Sequence, residues 1–245
     1  METIDILKQS PLFAGMDRKS LKEVSDALVQ ESHPKNSDIL ADVHTDGRFY
    51  VIAHGRVKVT RSNGHNGREL TLWLLGPGDG FDIVSLLDSH RHAVSAWTLD
   101  EVQTLSAPIA WFHEWLEQYP LFRQAVYRYI AKQLRDLVEL ADDLALHDTM
   151  TRLTHLLLRH FEPAKRTGAR GVNLIRDLSH EELASLIGSV RVVVNRLLAR
   201  LKKEAVVELH NGEVGIVNLK RLLHHAEAQA ARGSAKTQKD RKSRS

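Results

Sequence analysis

Residues 179–201 read SHEELASLIGSVRVVVNRLLARL, and this stretch decides how the C-terminal part of the chain folds. Ser179, followed three positions later by Glu182, forms a capping-box pattern and predicts a helix that begins at His180. Gly188 predicts the end of that helix, because glycine readily adopts the positive φ of a tight turn. The pattern therefore predicts a short helix followed by a sharp change of chain direction.

A second helix is expected directly after the turn, over residues 190–203, with Ser189 as its N-cap. Counted from the start of the first helix, Ala184, Gly188 and Val194 occupy the fifth, ninth and fifteenth positions. A helix-turn-helix needs a small residue, a turning residue and a packed apolar residue at these positions. The three matches favour DNA recognition over the alternative, an ordinary αα-hairpin.

The sequence that follows, VVELHNGEVGIV at 206–217, predicts two strands joined by a two-residue Asn-Gly turn of type I′, which makes a winged helix. We expect the second helix to enter the major groove by its N-terminal end. Arginine there binds guanine or phosphate, asparagine reads adenine or holds a phosphate, and an apolar side chain touches a thymine methyl group. Which arginine reads a base stays open. The predicted DNA-binding residues are Ser179, His180, Ser189, Arg191, Val192, Asn195, Arg196 and Arg200.

The distribution of charge also favours a polyanionic partner for this half of the chain. The net charge is +3, but residues 1–151 hold 15 Lys and Arg against 22 Asp and Glu, whereas residues 152–245 hold 19 against 9. Concentrated positive charge repels itself unless a partner neutralises it. Double-stranded DNA is the predicted partner, and a solvated surface with a basic tail is the alternative.

The composition excludes several classes of function. The 245 residues include no cysteine, so disulfides, cysteine-held iron–sulfur clusters and cysteine nucleophiles are excluded. We find no apolar run as long as a membrane helix and no signal-peptide pattern, and we expect a cytoplasmic protein with no membrane partner. Phosphate-loop and nucleophile-elbow motifs are absent, and His90 with His92 is a weak metal signal. The protein is not expected to be an enzyme.

The acidic half shows short β patterns separated by turns. Residues 49–62 predict an apolar strand, a glycine break and an alternating strand, and further apolar segments follow the turns NGHNG and GPGDG. Residues 82–87 are expected to be one of these strands or tight segments. This spacing predicts a small antiparallel barrel or jelly roll. Two small helices are expected before it, within residues 3–9 and 17–31.

A long helix is predicted between the two halves. Pro108 opens one helical stretch, and a second helix runs from Pro120 to about Leu146. Its apolar residues recur alternately four and three positions apart, which is the heptad spacing of a coiled-coil seam. Such a seam favours pairing with its twin in a homodimer, and packing on the chain's own roll is the alternative. The predicted seam is Ile130, Leu134, Leu137, Ala141 and Leu144.

The motifs HGRVKV and GPGD, the helix ending LALHDTMTRL and the stretch LSHEELASLIGSVRVVVNRLLARLKKEAVV resemble the Crp/Fnr family of bacterial transcription regulators. The resemblance implies an α+β fold with an N-terminal cyclic-nucleotide-binding-like β-roll (jelly roll), a long dimerisation helix and a C-terminal winged helix-turn-helix domain. It also implies a homodimer that binds a palindromic promoter site in response to an effector and acts on RNA polymerase. The expected domains are an effector-sensing roll over 1–120, the dimerisation helix over 121–147, the DNA-binding domain over 148–225 and a basic disordered tail over 226–245.

The effector itself stays open, and the resemblance disfavours cyclic AMP. Relatives that bind it carry a glutamate for the ribose and an arginine for the phosphate, positions that fall near Ile83 and Ala93 here. On the long helix, Leu137 and Val138 replace the hydroxyls expected to meet the purine. The pocket implied by the resemblance is lined by Phe81, Asp82, Ile83, Val84, Arg91, Leu134, Leu137 and Val138.

Haem is a second candidate effector, because an imidazole in an apolar cavity holds haem iron and some relatives use haem to sense nitric oxide or carbon monoxide. The histidine of the carbon-monoxide-sensing branch would fall near Val84, so that ligand is missing. Another small metabolite, a cyclic nucleotide, and a constitutive nucleoid-type DNA-binding protein are the alternatives. The histidines available as haem ligands are His44, His54, His90, His92, His113 and His147.

Overall fold

The computed structural model describes residues 3–41, 47–81, 83, 87, 94–160, 174–210 and 213–226, without the side chains of residues 210 and 213. The chain divides into two compact units. One consists of residues 1–67 and 71–137 and contains most of the β structure. The other consists of residues 68–70 and 138–245 and contains the helix-turn-helix.

The described strands of the roll form two sheets. One sheet has the order β1-β7-β2-β5 and the other has the order β4-β3-β6. Non-consecutive strands are neighbours in both sheets, as in a jelly roll. The strands are β1 (Val29–His33), β2 (Arg48–His54), β3 (Val57–Ser62), β4 (Glu69–Leu75), β5 (Gly80–Phe81), β6 (Ser95–Thr98) and β7 (Val102–Pro108).

The two small helices expected before the roll are present, and the second, Arg18–Ala27, lies within the predicted range 17–31. Val29–His33 then form a strand that the sequence did not indicate, which pairs antiparallel with β7 and so has its backbone satisfied within a sheet. In the segment 82–87, of which only Ile83 and Leu87 are described, both residues are helical.

The tight connection between β2 and β3 requires glycine at position 55. Gly55 has a φ of +84°, and a Cβ atom there would lie 2.6 Å from the carbonyl oxygen of Glu101. Beside it, Arg56 donates from Nε and Nη2 to the two carboxylate oxygens of Asp100, at 2.7 and 2.8 Å. This bidentate pair fastens the β2–β3 connection to the β6–β7 connection, and hydrogen bonding from Arg56 lowers the pKa of Asp100.

The helices of the first unit cover one side of the roll core. They are α1 (Thr3–Gln9), α2 (Arg18–Ala27), α3 (Ile109–Gln118) and the first part of α4 (Pro120–Leu146). The ring of Phe112 packs between those of Phe49 and Phe122, with centroids 4.7 and 5.4 Å away. Both α3 and α4 begin where the prolines predicted, because a proline at the start of a helix needs no intrahelical hydrogen bond.

The second unit contains the remaining helices and a hairpin. Asp148 caps α5 by accepting a 2.9 Å hydrogen bond from the amide of Thr151. Strands β8 and β9 pair antiparallel, with His210 opposite Glu213. The elements are α5 (Thr149–Arg159), α6 (His180–Leu186), α7 (Arg191–Lys203), β8 (Val207–His210) and β9 (Glu213–Ile216), and residues 219–226 are also helical.

Candidate nucleic-acid interface

The capping box predicted at the start of α6 is present. Ser179 Oγ accepts a hydrogen bond from the amide of Glu182 at 3.2 Å, and Glu182 Oε2 accepts one from the amide of Ser179 at 2.6 Å. Two amides that the helix start leaves without partners are thereby satisfied. The helix begins at His180, as the sequence indicated.

The turn between α6 and α7 depends on Gly188. Its φ is +59°, and a Cβ atom there would lie 2.4 Å from Leu144 Cδ2. The next amide, that of Ser189, donates back to the carbonyl oxygen of Ala184 at 2.8 Å and closes the turn. Ala184 and Val194 are fully buried, so the small and the apolar positions of the motif are both used in packing.

The prediction that Ser189 caps the second helix was wrong. Val190 is the N-cap of α7, and it makes no side-chain capping bond. The turn extends one residue further than the sequence indicated, because the amide of Ser189 is used to close it. The first amides of α7 therefore lack a serine partner from this position and suit an anion such as phosphate.

The outward face of α7 carries most of the predicted DNA-binding side chains. Arg191, Asn195 and Arg196 are exposed, and Val192 is exposed to 76%. Val194, Leu198 and Leu201 form the buried side of the helix. The helix thus presents a basic surface with one apolar side chain in it, and it is anchored from behind.

Asn195 is held in place by α6. Its Oδ1 forms a hydrogen bond with Nδ1 of His180, which joins the first residue of α6 to the exposed face of α7. Sequence reasoning predicted both residues separately and missed their contact. The spacing of 15 positions between them has no local signal, because it depends on how the two helices cross.

Arg200 is engaged at the other end of α7. Its Nε donates to Glu204 Oε1 at 2.8 Å, and His225 Nε2 lies 2.7 Å from Glu204 Oε2. Arg221 donates from Nη1 to the main-chain oxygen of Glu204 at 2.7 Å. The hydrogen bond from Arg200, followed by that from His225, lowers the pKa of Glu204. Glu204 therefore ties the end of the recognition helix to the helical residues 219–226.

The wing has the predicted length. Two residues, Asn211 and Gly212, connect strands β8 and β9. Both lie outside the described residues, so the predicted type I′ turn stays a prediction. Val206 and Val207 are buried at the base of the hairpin, and the amide of Val217 donates to the oxygen of Val206 at 2.9 Å. The hairpin is thus fixed at its base.

The residues expected to line an effector pocket are distributed over several environments. Phe81 and Ile83 are both buried, but they belong to different core clusters. Leu134 and Val138 are exposed to 61% and 53%, and Leu137 is half-buried. Asp82, Val84 and Arg91 lie outside the described residues.

The histidines considered for haem give no buried ligand within the described residues. His54 and His113 are exposed, and His147 is half-buried at the end of α4. His44, His90 and His92 lie outside the described residues. Haem iron is bound by an imidazole that faces an enclosed apolar space, and neither the His54 ring nor the His113 ring faces such a space.

Sequence reasoning missed a link between the GPGD turn and the long helix. Tyr129 donates from its hydroxyl group to the oxygen of Gly80 at 2.9 Å and to Asp79 Oδ1 at 3.3 Å. Burial raises the pKa of Asp79 and of Tyr129. Because 50 residues separate Asp79 from Tyr129, only the folded chain shows this contact.

The combination of a β-roll, a long helix and a winged helix-turn-helix defines the class of transcription regulators that carry a nucleotide-binding-type sensor domain. The family model of the cyclic nucleotide-binding domain matches residues 30–119, and that of the Crp-like helix-turn-helix domain matches residues 151–224. The chain therefore carries a cyclic nucleotide-binding domain and a Crp-like helix-turn-helix domain, and its homologues are regulators of the Crp/Fnr family. The predicted α+β fold class is thereby confirmed.

Curated relatives cover most of the chain. The CRP-like cAMP-activated global transcriptional regulator of Mycobacterium tuberculosis is 28% identical over 225 residues, which are 91% of this chain and 99% of that protein. The cyclic AMP receptor protein of Thermus thermophilus is 28% identical over 210 residues, which are 86% of this chain and 94% of that protein. These relatives are regulators and not enzymes.

A solved structure shows the same fold. The c-di-GMP responsive global regulator CLP of Xanthomonas campestris matches with a TM-score of 0.69 at 20% identity, covering 82% of this chain and 100% of that chain. In the part of the chain that the structure describes, no helix has the length and apolar character needed to cross a membrane.

Proposed function

We propose that the protein is a homodimeric transcription regulator that binds a palindromic promoter site, acts on RNA polymerase there, and changes its DNA affinity when the roll binds an effector. The exposed face of α7 carries this proposal. Arg191 and Arg196 present forked donors for guanine O6 and N7 or for phosphate, and the exposed Val192 suits a thymine methyl group. Ser179, Ser189 and Arg200 flank this face and suit phosphates.

The long helix supports the dimer, with a seam that differs from the predicted one. Ile130 packs against the roll core and Leu144 lies against Gly188, so both are used within their own chain. An exposed apolar stripe runs beside them with the same alternating spacing of four and three, which is the spacing of a coiled-coil seam. We define this stripe as Tyr127, Ala131, Leu134, Val138, Ala141 and Ala145, all of which are exposed.

For the effector, we propose that the roll does not bind cyclic AMP in the way that the cyclic AMP-binding relatives do, and that it binds a different ligand. Ile83, exposed to only 2%, lies near the position where those relatives carry a glutamate, and an apolar side chain accepts no hydrogen bond from a ribose. The names of the relatives nevertheless point to nucleotides, including cyclic AMP and c-di-GMP. The exposed His54 and His113 lend haem no support.

Selection of bound sequences from random double-stranded DNA tests the DNA-binding proposal. We expect a two-fold symmetric consensus with half-sites about 34 Å apart, because a dimer presents two recognition helices to one face of the duplex. Fluorescence anisotropy should then show binding at least about 1,000-fold tighter than to a scrambled duplex of equal length. Equal affinities for both duplexes would contradict this proposal and would favour the alternative, a nucleoid-type protein that binds DNA without sequence preference.

The effector is tested by repeating the anisotropy titration with cyclic AMP, c-di-GMP and haem, together with an absorption spectrum of the haem mixture under nitric oxide and carbon monoxide. A ligand that binds the roll and changes affinity for the palindrome identifies the effector class. A Soret band that is stoichiometric with protein and shifts with the gases would favour haem. Tight binding of cyclic AMP that activates DNA binding would contradict our inference from Ile83.

A further inference from the structure

Three side chains with metal-binding chemistry meet where α4 ends and α5 begins. Ligand atoms of Asp143, His147 and His155 all lie within 4.8 Å of one another. Asp143 is buried, exposed to only 5%, and its Oδ1 lies 2.7 Å from His155 Nδ1. The rings of His147 and His155 meet edge to face, with centroids 5.1 Å apart.

Local structure brings two of the three together. His147 follows the last residue of α4, and its amide donates to the oxygen of Asp143 at 3.2 Å, which continues the helical pattern by one residue. Residues four positions apart on a helix share a face. His155 comes from α5, so the cluster joins two helices on either side of the connection at residues 147–148.

We propose that this cluster binds a divalent transition-metal ion of the Zn²⁺ type. Two imidazole nitrogens and one carboxylate oxygen are the ligand set that Zn²⁺ accepts, with a fourth position left for water. Ligand atoms of a tetrahedral zinc site lie about 3.4 Å apart, so the pair formed by Asp143 and His155 must open by only about 0.7 Å. The Nδ1 proton of His155 then moves to Nε2 or to solvent, and the nitrogen lone pair binds the ion.

The surroundings of the cluster support a cation. Arg159 donates from Nη2 to Asp143 Oδ2 at 2.8 Å, and this fixes the carboxylate with Oδ1 turned toward His155. Outer hydrogen bonds of this kind orient metal ligands. Glu139 and Asp142 line a surface hollow together with Asp143, His155 and Arg159, so acidic groups outnumber the arginine there. The hollow gives an ion a route from solvent to Asp143 and His155.

An ion at this position would tie the end of the long helix to the first helix of the DNA-binding unit. All of its ligands belong to the second unit. We expect the ion to stabilise that unit, because it binds the folded arrangement and not the unfolded chain. The proposed site does not depend on the proposed operator binding, and its test requires no DNA.

The test titrates the full-length protein with Zn²⁺ against a chromogenic chelator, and with Co²⁺ for its visible absorption bands. We expect one tight ion per chain and a rise in unfolding temperature with Zn²⁺. His147→Ala should weaken this site by at least about tenfold, because it removes one ligand of three. His224→Ala, which removes an exposed histidine of the same unit, should leave the tight site unchanged.

His147→Ala is the informative variant. The His147 ring meets the edge of His155, and removing this ring should leave the fold intact. His155→Ala also breaks a hydrogen bond to the buried Asp143, so its circular dichroism must be compared with that of the native chain. Unchanged Zn²⁺ affinity in His147→Ala, or an equal loss in His224→Ala, would overturn the proposal and leave Asp143, His155 and Arg159 as a structural ion-pair network.

Discussion

Arg191 and Arg196 are both exposed on α7, so their roles at DNA can be separated only by measurement. We expect Arg191→Ala to cost about 1–3 kcal/mol of binding free energy on the selected palindrome and much less on scrambled DNA, because a bidentate contact to guanine is sequence-specific. Fluorescence anisotropy on both duplexes measures this. Arg61→Ala, an exposed arginine of β3, is the control that should change neither affinity. Equal losses on both duplexes would make Arg191 a phosphate contact.

The pair formed by Arg56 and Asp100 gives the roll a pH-dependent contribution to stability. Arg56 lowers the pKa of Asp100 below its ordinary value of 3.8. The Asp100 carboxylate therefore binds a proton more readily in the unfolded chain than in the folded one. The stabilisation present at neutral pH is lost as the pH falls from 3.8 through the lower pKa of the folded state.

We accordingly expect Asp100→Asn to lower the free energy of unfolding at neutral pH by about 1–2 kcal/mol, a value reduced because the carboxylate is partly exposed. The difference from the native chain should shrink as the pH falls below the folded pKa. All four tryptophans, at 73, 97, 111 and 115, lie in the first unit, so their fluorescence reports unfolding of the roll. Asp26→Asn, which removes an exposed ion pair with Lys22, should change little at any pH.

At the scale of elements, the turn between α6 and α7 depends on a residue that tolerates positive φ. We expect Gly188→Ala to destabilise the second unit by at least about 1–2 kcal/mol, since alanine is strained there and its Cβ atom meets Leu144. Helical circular dichroism during thermal unfolding should show the loss, while tryptophan fluorescence of the roll should not. Gly64→Ala, in an open turn with ordinary φ, is the matched control.

The exposed stripe on α4 makes a separate prediction about assembly. Leu134→Glu should convert the dimer into monomers, because a carboxylate buried in an apolar seam loses its hydration without gaining a partner. Sedimentation or light scattering measures the change. Leu121→Glu alters another exposed leucine of the same helix that lies off the stripe, and it should leave the dimer intact. Dissociation by Leu121→Glu alone would locate the interface elsewhere.

At the scale of the whole molecule, the positive charge of the C-terminal residues is expected to raise the affinity for any DNA sequence without adding sequence specificity. Residues 227–245 carry six Lys and Arg against one Glu and one Asp. A chain shortened to end at residue 226 should bind the palindrome and scrambled DNA more weakly by the same factor, and its affinity should fall less steeply with salt. A selective loss on the palindrome would show that the C-terminal segment takes part in sequence recognition.

Much of the architecture could be predicted because its signals are local. The start of α6 at His180, the ends of α4 at Pro120 and Leu146, and the two-residue wing connection all follow from caps, prolines and turn residues that act within a few positions. The strand Val29–His33 could not be predicted in this way, because it depends on pairing with β7, which lies far along the chain.

The sequence by itself determined a β-roll, a long helix and a winged helix-turn-helix, since periodicity, turn residues and capping encode such elements directly. Only the tertiary structure decided which side chains are available for function. It joined His180 to Asn195, placed Leu144 against Gly188, and gathered Asp143, His147 and His155 into one cluster. Contacts between distant residues depend on how the helices cross and pack, and a chain read residue by residue carries no local mark of that geometry.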